Sequence, residues 1–237
     1  QVESTNTTAM AIDLSQHDGG LVVAEHQSAG RGRVGRSWNS PLGGIYMSVV
    51  ADLPDFPEKP TLLPVMSALS LAFLLERNGV QVEIKWPNDI LINNYKVGGI
   101  LTEFKSNGYG ACRAVIGVGL NTTPIVNNEC KQSDNSPGVP PLPAASIKGL
   151  ERSRFSGQLA AHLHSILYEL TNGVSYKFER EWKKYDSLSG KFIEVHTSKG
   201  LFKGRCEGID DNGRLVLQTI SGKHAFVNGE ARVRVTR

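Results

Sequence analysis

The chain has 237 residues, 40% of them hydrophobic, which is enough for one substantial core and a small second one. Its 26 basic and 23 acidic residues nearly balance, so net charge gives only weak support for a polyanionic partner. No apolar run approaches the roughly 20 residues of a membrane span, and no signal-peptide pattern is present. The three cysteines lack metal-ligand spacing and indicate reduced thiols in an intracellular protein.

The first half of the chain alternates predicted helices with predicted strands. Thr5 or Asn6 is suited to cap a first helix that runs to Leu14. Apolar residues at helical spacing predict a second helix over 61–78, which Gly79 ends. Segments rich in strand-forming residues predict strands at 21–24, 45–50, 82–86, 90–92, 97–104 and 112–120. These strands predict a mixed or antiparallel sheet.

The second half begins with a polar segment, 122–143, whose proline, asparagine and glycine combinations predict a long surface loop. Two helices are predicted over 153–171 and 174–188. Beyond Gly190, short alternating segments predict a small β-barrel with strands at 192–196, 201–207, 215–220, 224–227 and 233–235. The predicted domains are therefore residues 1–188 and a terminal barrel of residues 189–237.

A loop rich in glycine and arginine, GRGRVGRSW at 30–38, is the most unusual segment. Gly30, Gly32 and Gly35 match the G-x-G-x-x-G spacing of dinucleotide-binding turns, but that turn requires a helix directly afterwards. A further strand follows here, so we reject that interpretation. The arginines instead predict an anion-binding loop, because a guanidinium binds carboxylate or phosphate through two parallel hydrogen bonds. A basic surface loop or a nucleic-acid contact is the alternative.

Three further segments place glycine, asparagine or lysine at strand ends: KWPND at 85–89, KVGGIL at 96–101 and GVGLN at 117–121. Taken singly, each has an ordinary structural explanation, such as a turn with Trp86 in the core or an exposed lysine in a hairpin. Together with GRGRVGRSW and the Ser-Thr-Asn run at 4–6, they resemble the biotin protein ligase family in content and order. The resemblance covers nearly the whole chain, including the terminal barrel.

The resemblance implies an α+β fold of the class II synthetase-like, biotin/lipoate ligase type, with a mixed or antiparallel sheet flanked by helices and an SH3-like barrel. It implies an ATP-dependent ligase that forms biotinyl-5′-AMP and transfers biotin to a lysine of a biotin carboxyl carrier domain. Biotin, ATP and Mg²⁺ are the implied ligands, with Mg²⁺ held through the nucleotide and not by a protein cage. Lys96 and Arg33 are the implied catalytic residues, since they would neutralise two reacting anions.

The resemblance also assigns residues to each ligand. The biotin-binding set is Ser4, Thr5, Asn6, Gln27, Arg31, Gly32, Arg33, Lys96 and Gly99. The set for ATP and the adenylate is Arg31, Arg33, Arg36, Trp38, Lys85, Asn88, Asp89 and Asn121, with Trp38 covering the adenine. The hydroxyls and amides of the first set suit a ureido ring, which carries one acceptor and two donors.

The same resemblance bears on partners, location and alternative functions. No N-terminal DNA-binding segment is expected, so repressor activity is not predicted, and a homodimer is left open. The expected location is the cytoplasm, with a chloroplast or mitochondrion as the alternative if a targeting segment is missing. A lipoate-type ligase is the nearest alternative function, although it is not expected to carry both GRGRVGRSW and KWPND. A nucleic-acid-binding module is the alternative from another class, and the scattered aromatic residues of the barrel argue against it.

Overall fold

The fold comes from a computed structural model that describes residues 1–106, 110–123, 144–171, 178–229 and 231–235. Its larger sheet has six strands in the order β1-β2-β6-β5-β4-β3, and every neighbouring pair is antiparallel. The expected mixed or antiparallel sheet is therefore antiparallel throughout. The strands are β1 (Gly20–Ala24), β2 (Ile45–Leu53), β3 (Glu83–Lys85), β4 (Asp89–Ile92), β5 (Tyr95–Ser106) and β6 (Cys112–Leu120).

Three helices pack on this sheet: α1 (Thr5–Ala11), α2 (Leu62–Arg77) and α3 (Arg152–Thr171). A fourth described helix, α4 (Glu179–Tyr185), packs against α2. Strand β2 is buried on both faces because helices lie on both sides of it. Met47 and Val49 belong to the main core with α2 and α3, whereas Val50 packs with Ala9 of α1. The predicted combination of an α+β fold and helices flanking an antiparallel sheet is confirmed.

Two helix predictions need correction. Thr5 and Asn6 do not cap α1, because the helix begins at Thr5 and the preceding residue is Ser4. The Gln27 side chain takes the place of a cap, since its Oε1 accepts a hydrogen bond from the Thr5 backbone N–H at 2.8 Å. The helix also ends at Ala11, before Leu14.

The last helix, α4, ends at Tyr185 and does not extend to Leu188. Asp186 leaves the helix to form a bridge with Ile84, and its Oδ1 accepts a hydrogen bond from the Leu188 N–H at 2.8 Å. Such a side-chain turn competes with helix continuation. Residues 174–177 of the predicted helix, and 124–143 of the predicted loop, lie outside the described residues.

All five strands predicted after Gly190 are present, as β7 (Phe192–Thr197), β8 (Gly200–Ile209), β9 (Leu215–Thr219), β10 (Gly222–Phe226) and β11 (Arg232–Val235). They form an antiparallel sheet in the order β10-β9-β8-β7-β11. Trp86 joins this sheet to the larger one, because its Nε1–H donates to the Gly213 carbonyl oxygen at 2.9 Å. In the part of the chain that the structure describes, no helix has the length and apolar content that a bilayer crossing requires.

Arg113 on β6 attaches the C-terminal end of α1 to the sheet. Its Nε and Nη2 donate to the two carboxylate oxygens of Asp52 at 2.7 Å each, and its Nη1 donates to the carbonyl oxygens of Met10 and Ile12. The guanidinium therefore combines a bidentate ion pair with the free carbonyl groups at a helix end.

We expect Arg113→Met to lower the free energy of unfolding by about 2 kcal/mol, because two backbone carbonyls and a carboxylate lose their donor while the apolar stem is kept. Urea unfolding measures this loss. Arg152→Met is the matched control, since Arg152 donates to Glu25 from a side chain that is 42% exposed and should cost less than about 1 kcal/mol. Equal losses in the two variants would contradict the role given to Arg113.

Candidate ligand-binding site

One cavity collects every residue that the sequence assigned to a ligand, with the exception of Asn121. It lies against β5 and β6 and is bordered by the start of α1, the glycine–arginine loop and the turn between β3 and β4. The predicted residues that line it are Ser4, Thr5, Asn6, Gln27, Arg31, Gly32, Arg33, Arg36, Trp38, Lys85, Asn88, Asp89, Lys96 and Gly99. Segments more than 90 residues apart in the chain therefore meet at one place.

One end of the cavity carries a neutral hydrogen-bond network. Gln27 Oε1 accepts from the N–H and the hydroxyl of Thr5, at 2.8 and 3.0 Å, and its Nε2 donates to Ser40 Oγ at 2.8 Å. The hydroxyl of Ser48, which is fully buried, lies 2.8 Å from Thr5 Oγ1 and 2.7 Å from Asn6 Oδ1. This end therefore presents fixed donors and acceptors without a formal charge.

Gly117 lies directly behind Asn6. A Cβ atom at Gly117 would lie 1.9 Å from Asn6 Oδ1, so any larger residue must displace the Asn6 amide. Asn6 itself is 3% exposed and cannot move outward without losing its hydrogen bonds to Ser48 and to the Leu101 carbonyl oxygen. The glycine is thus required for the close approach of α1 to β6.

The backbone of the glycine–arginine loop is held in one tight conformation. Gly32 N–H donates to the Arg36 carbonyl oxygen at 2.7 Å, and Trp38 N–H donates to the Gly30 carbonyl oxygen at 2.8 Å. A Cβ atom at Gly30 would lie 2.4 Å from the Trp38 carbonyl oxygen, so the loop can close only on glycine. Val34 has a φ of 56°, in the left-handed region that β-branched residues rarely adopt.

Two arginines of this loop are already oriented by partners on the sheet. Arg33 Nη1 donates to Asn88 Oδ1 at 2.8 Å, and Asn88 Nδ2 donates to the Ile100 carbonyl oxygen at 2.7 Å. Arg31 Nη2 donates to Glu103 Oε2 at 2.7 Å. Asn88, which the sequence assigned to the nucleotide, thus supports Arg33 in this arrangement.

Positive charge concentrates at the other end of the cavity, around the carboxylate of Asp89. Lys96 Nζ lies 2.7 Å from Asp89 Oδ1. Burial lowers the pKa of Arg33 and of Lys85, and the nearby Asp89 carboxylate partly offsets both shifts. Because Arg36 also lines this end, the cations outnumber the carboxylate, and the site is suited to an anionic ligand.

Trp38 forms part of the floor between the two ends. A Cβ atom at Gly119 would lie 2.6 Å from the Trp38 ring, so glycine is needed for the indole to lie on β6. Lys96 Nζ lies 5.2 Å from the ring centroid, within range of a cation–π contact. The Trp38 Nε1–H is buried against Gly119 and has no hydrogen-bond partner among the described residues.

The prediction for Asn121 is not supported by its position in this arrangement. Asn121 is buried and does not line the cavity, and its Nδ2 donates to the Ala145 carbonyl oxygen at 3.2 Å. Its amide holds the end of β6 against the segment that follows 143. A role for Asn121 toward the nucleotide stays a prediction.

Sequence reasoning missed several residues that build the site. Ser48 lies within a strand-forming run and gives no sequence signal of its own. Arg232, from β11 of the second sheet, also lines the cavity although more than 100 residues separate it from the other lining segments. Gly117 and Gly119 belong to the GVGLN segment, where glycine was noted as permitting close approach, so these two positions could have been found.

No group of three or more histidine, cysteine, aspartate or glutamate side chains suited to hold a metal ion occurs within the described ranges. Among the residues that the structure describes, one carboxylate lines the cavity, that of Asp89, and it is paired with Lys96. A divalent cation prefers several oxygen ligands. The donor set therefore fits a cation that arrives with an anionic ligand, not one held by the protein alone.

Comparisons with known proteins identify the family of this chain and support its fold. A profile of the Biotin/lipoate A/B protein ligase family matches residues 1–121. The bifunctional ligase/repressor BirA of Bacillus spizizenii is 34% identical over 231 residues, covering 93% of this chain and 68% of that protein. The biotin–[acetyl-CoA-carboxylase] ligase of Paracoccus denitrificans is 28% identical over 238 residues, covering 97% of both chains.

Among solved structures, the biotin protein ligase from Aquifex aeolicus in complex with biotin and ATP superposes with a TM-score of 0.80 at 22% identity. The match covers 99% of this chain and 96% of that one, so both sheets share its fold. The family match extends over the whole site apart from Ala231, Arg232 and Val233. The chain therefore belongs to the biotin/lipoate A/B protein ligase family.

Proposed function

We propose that this chain is an ATP-dependent biotin protein ligase, which forms biotinyl-5′-AMP and transfers biotin to a lysine of a biotin carboxyl carrier domain. The observation that carries the proposal is the pairing, in one cavity, of a neutral hydrogen-bonding end with a cation-rich end. Biotin has the matching asymmetry, since a polar ureido ring lies at one end and a carboxylate at the other. Relatives named as biotin–[acetyl-CoA-carboxylase] ligases support the same conclusion.

The neutral end favours biotin over lipoate. The amide and hydroxyl groups of this end are fixed by hydrogen bonds. Thr5 Oγ1 donates to Gln27 Oε1, and the buried Ser48 hydroxyl lies between Thr5 and Asn6. A ureido ring can satisfy both donors and acceptors there, whereas a dithiolane ring has no N–H and only weakly accepting sulfur atoms. Any donor or acceptor at this end that biotin would pair stays unpaired against a dithiolane, at a cost of about 1–3 kcal/mol each. The family profile alone does not separate the two substrates.

The cationic end suits the first step of the reaction. A carboxylate oxygen of biotin attacks the α-phosphorus of ATP, the bond from that phosphorus to the bridging oxygen breaks, and pyrophosphate leaves. Two anions must approach each other, and Lys96 and Arg33 lie where they can neutralise them. Catalysis then consists of positioning and charge stabilisation, without a covalent enzyme intermediate. Trp38 supplies a flat surface for the adenylate.

Mg²⁺ is proposed to enter with the triphosphate, because Asp89 is the single carboxylate that lines the cavity within the described residues. When bound, it supplies positive charge that offsets the charge of the phosphate oxygens. Lys85 and Arg36 would contact the nucleotide at the same end of the cavity. Asp89 is proposed to orient Lys96, since the two side chains are 2.7 Å apart.

In the second step, the amine of the carrier lysine attacks the carbonyl carbon of the mixed anhydride, AMP leaves, and a proton is released as the amide forms. The carrier must therefore dock near the cavity mouth, where Arg232 of the second sheet is also present.

We propose residues 1–188 as the catalytic domain and 189–237 as the SH3-like barrel. A cytoplasmic location, and a choice between monomer and homodimer, remain predictions.

The decisive experiment is ATP–pyrophosphate exchange by the purified chain, measured with biotin and with lipoate as the added acid. We expect exchange to depend on biotin and to be at least about 100-fold slower with lipoate, because unpaired polar groups would be buried. Transfer of biotin to an added carrier domain tests the second step. Salt-sensitive RNA binding without any exchange would instead support a nucleic-acid-binding module.

Gly117→Ala tests the neutral end directly. The added methyl group would overlap Asn6 Oδ1, so we expect the dissociation constant for biotin to rise about 10- to 100-fold. Isothermal titration with biotin measures this change. Gly157→Ala in α3 is the matched control, because a Cβ atom there meets nothing within 4 Å and alanine favours the helix. Unchanged affinity in the Gly117 variant would show that Asn6 does not contact biotin.

A further inference from the structure

Glu103 on β5 contacts two parts of the site: Asn6 at the neutral end of the cavity, and Arg31 of the glycine–arginine loop. It does not line the cavity, but two residues that do, Asn6 and Arg31, each donate a hydrogen bond to it. Its side chain is 27% exposed, so the carboxylate is partly shielded from solvent. No feature of the sequence singled it out.

The contact with Asn6 determines which way the Asn6 amide faces. Asn6 Nδ2 donates to Glu103 Oε2 at 2.7 Å and to the Leu101 carbonyl oxygen at 3.2 Å, so both amide hydrogens are used. Asn6 Oδ1 lies 2.7 Å from Ser48 Oγ and keeps one lone pair for a ligand. With Glu103 in place, Asn6 can therefore act toward a ligand only as an acceptor.

The contact with Arg31 attaches the glycine–arginine loop to the sheet. Arg31 Nη2 donates to the same oxygen, Glu103 Oε2, at 2.7 Å. The Arg31 side chain is 44% exposed. One carboxylate oxygen thus joins the start of α1 to the loop. Glu103 is 72 positions from Arg31 and 97 positions from Asn6 in the sequence.

We propose that Glu103 is a positioning residue of the ligase reaction, which orients the Asn6 amide as an acceptor for biotin and holds Arg31 of the glycine–arginine loop beside it. The inference rests on the proposed function. The orientation of Asn6 and the attachment of Arg31 can be tested separately. The Asn6 contact needs only an acceptor oxygen, whereas the Arg31 contact also needs negative charge.

Glu103→Ala and Glu103→Gln separate these two contacts. Alanine removes the acceptor and the charge, so Asn6 can rotate and Arg31 is released. We expect the dissociation constant for biotin to rise about tenfold or more. Glutamine keeps an acceptor oxygen for Asn6 and loses the charge that holds Arg31. We expect its affinity for biotin to stay within about threefold of the unchanged chain, while leakage of biotinyl-5′-AMP rises in both variants.

The measurements are calorimetric titration with biotin, the half-saturating biotin concentration and maximal rate in pyrophosphate exchange, and biotinylation of a bystander protein by released adenylate. All are made well below the melting temperature of each variant. Glu25→Ala is the matched control, since Glu25 also pairs with an arginine, Arg152, at 3.2 Å but lies outside the cavity. It should change none of these quantities.

The outcomes are distinguishable. A tenfold loss of biotin affinity in Glu103→Ala, with near-complete rescue by glutamine and an unchanged maximal rate, supports the inference. Unchanged affinity in Glu103→Ala, or an equal loss in alanine and glutamine variants, overturns it while the proposed function stands. If the unchanged chain neither binds biotin nor catalyses biotin-dependent exchange, the proposed function fails, and the inference fails with it.

Discussion

Lys96→Ala should reduce biotin-dependent pyrophosphate exchange by about 100- to 1000-fold, the loss expected when one charge-stabilising donor is removed from a preorganised site. Lys96 Nζ lies 2.7 Å from Asp89 and 5.2 Å from the Trp38 ring centroid, so its position is fixed by two neighbours. It is also close to Gly99, where a Cβ atom would lie 3.3 Å from Lys96 Cε. The ammonium group therefore needs little reorganisation when the two anions meet.

The exchange rate at saturating biotin and ATP measures this effect, and unfolding measurements check the fold. Loss of the partly exposed ion pair with Asp89 should cost about 1 kcal/mol or less, so the variant should remain folded. Lys203→Ala is the matched control, because Lys203 also forms a lysine–carboxylate pair, with Glu194 at 2.6 Å, but on the second sheet. Near-normal exchange by the Lys96 variant would refute its catalytic role.

Arg33→Ala should release biotinyl-5′-AMP from the site at least about tenfold faster than the unchanged chain, because a charge-assisted contact to phosphate is lost. Asn88 holds the Arg33 guanidinium at 2.8 Å. Burial lowers the pKa of Arg33 below its ordinary value, but an arginine remains protonated at neutral pH. The full positive charge is therefore available to the adenylate.

Labelling of a bystander protein such as serum albumin, which reacts with free adenylate, measures the release. Arg205→Ala provides the control, since Arg205 is exposed and donates to the Gly190 carbonyl oxygen at 3.2 Å, outside the cavity. Folding should be little affected by either change. If bystander labelling by the Arg33 variant equals that of the control, Arg33 does not retain the adenylate.

The sequence by itself determined most of the local structure and most of the site. Long apolar patterns predicted α2, β2 and β6 to within a few residues, because their periodicity reflects burial on one or both sides. The four segments GRGRVGRSW, KWPND, KVGGIL and GVGLN predicted the cavity, since each carries a chemical signal in a few consecutive residues. Helix ends were predicted less well, as the early ends of α1 and α4 illustrate.

Only the tertiary structure decided which groups hold the site residues in place. Gln27 serves as the cap of α1, Ser48 joins Thr5 to Asn6, and Glu103 shares one oxygen between α1 and the loop. Each of these contacts joins residues between 22 and 97 positions apart. The alternation of a strand indicates which face a side chain occupies, but not which distant segment packs there. For that physical reason, the sequence predicted the chemical groups that line the cavity. The contacts that support those groups depend on how α1 and the glycine–arginine loop pack against the larger sheet.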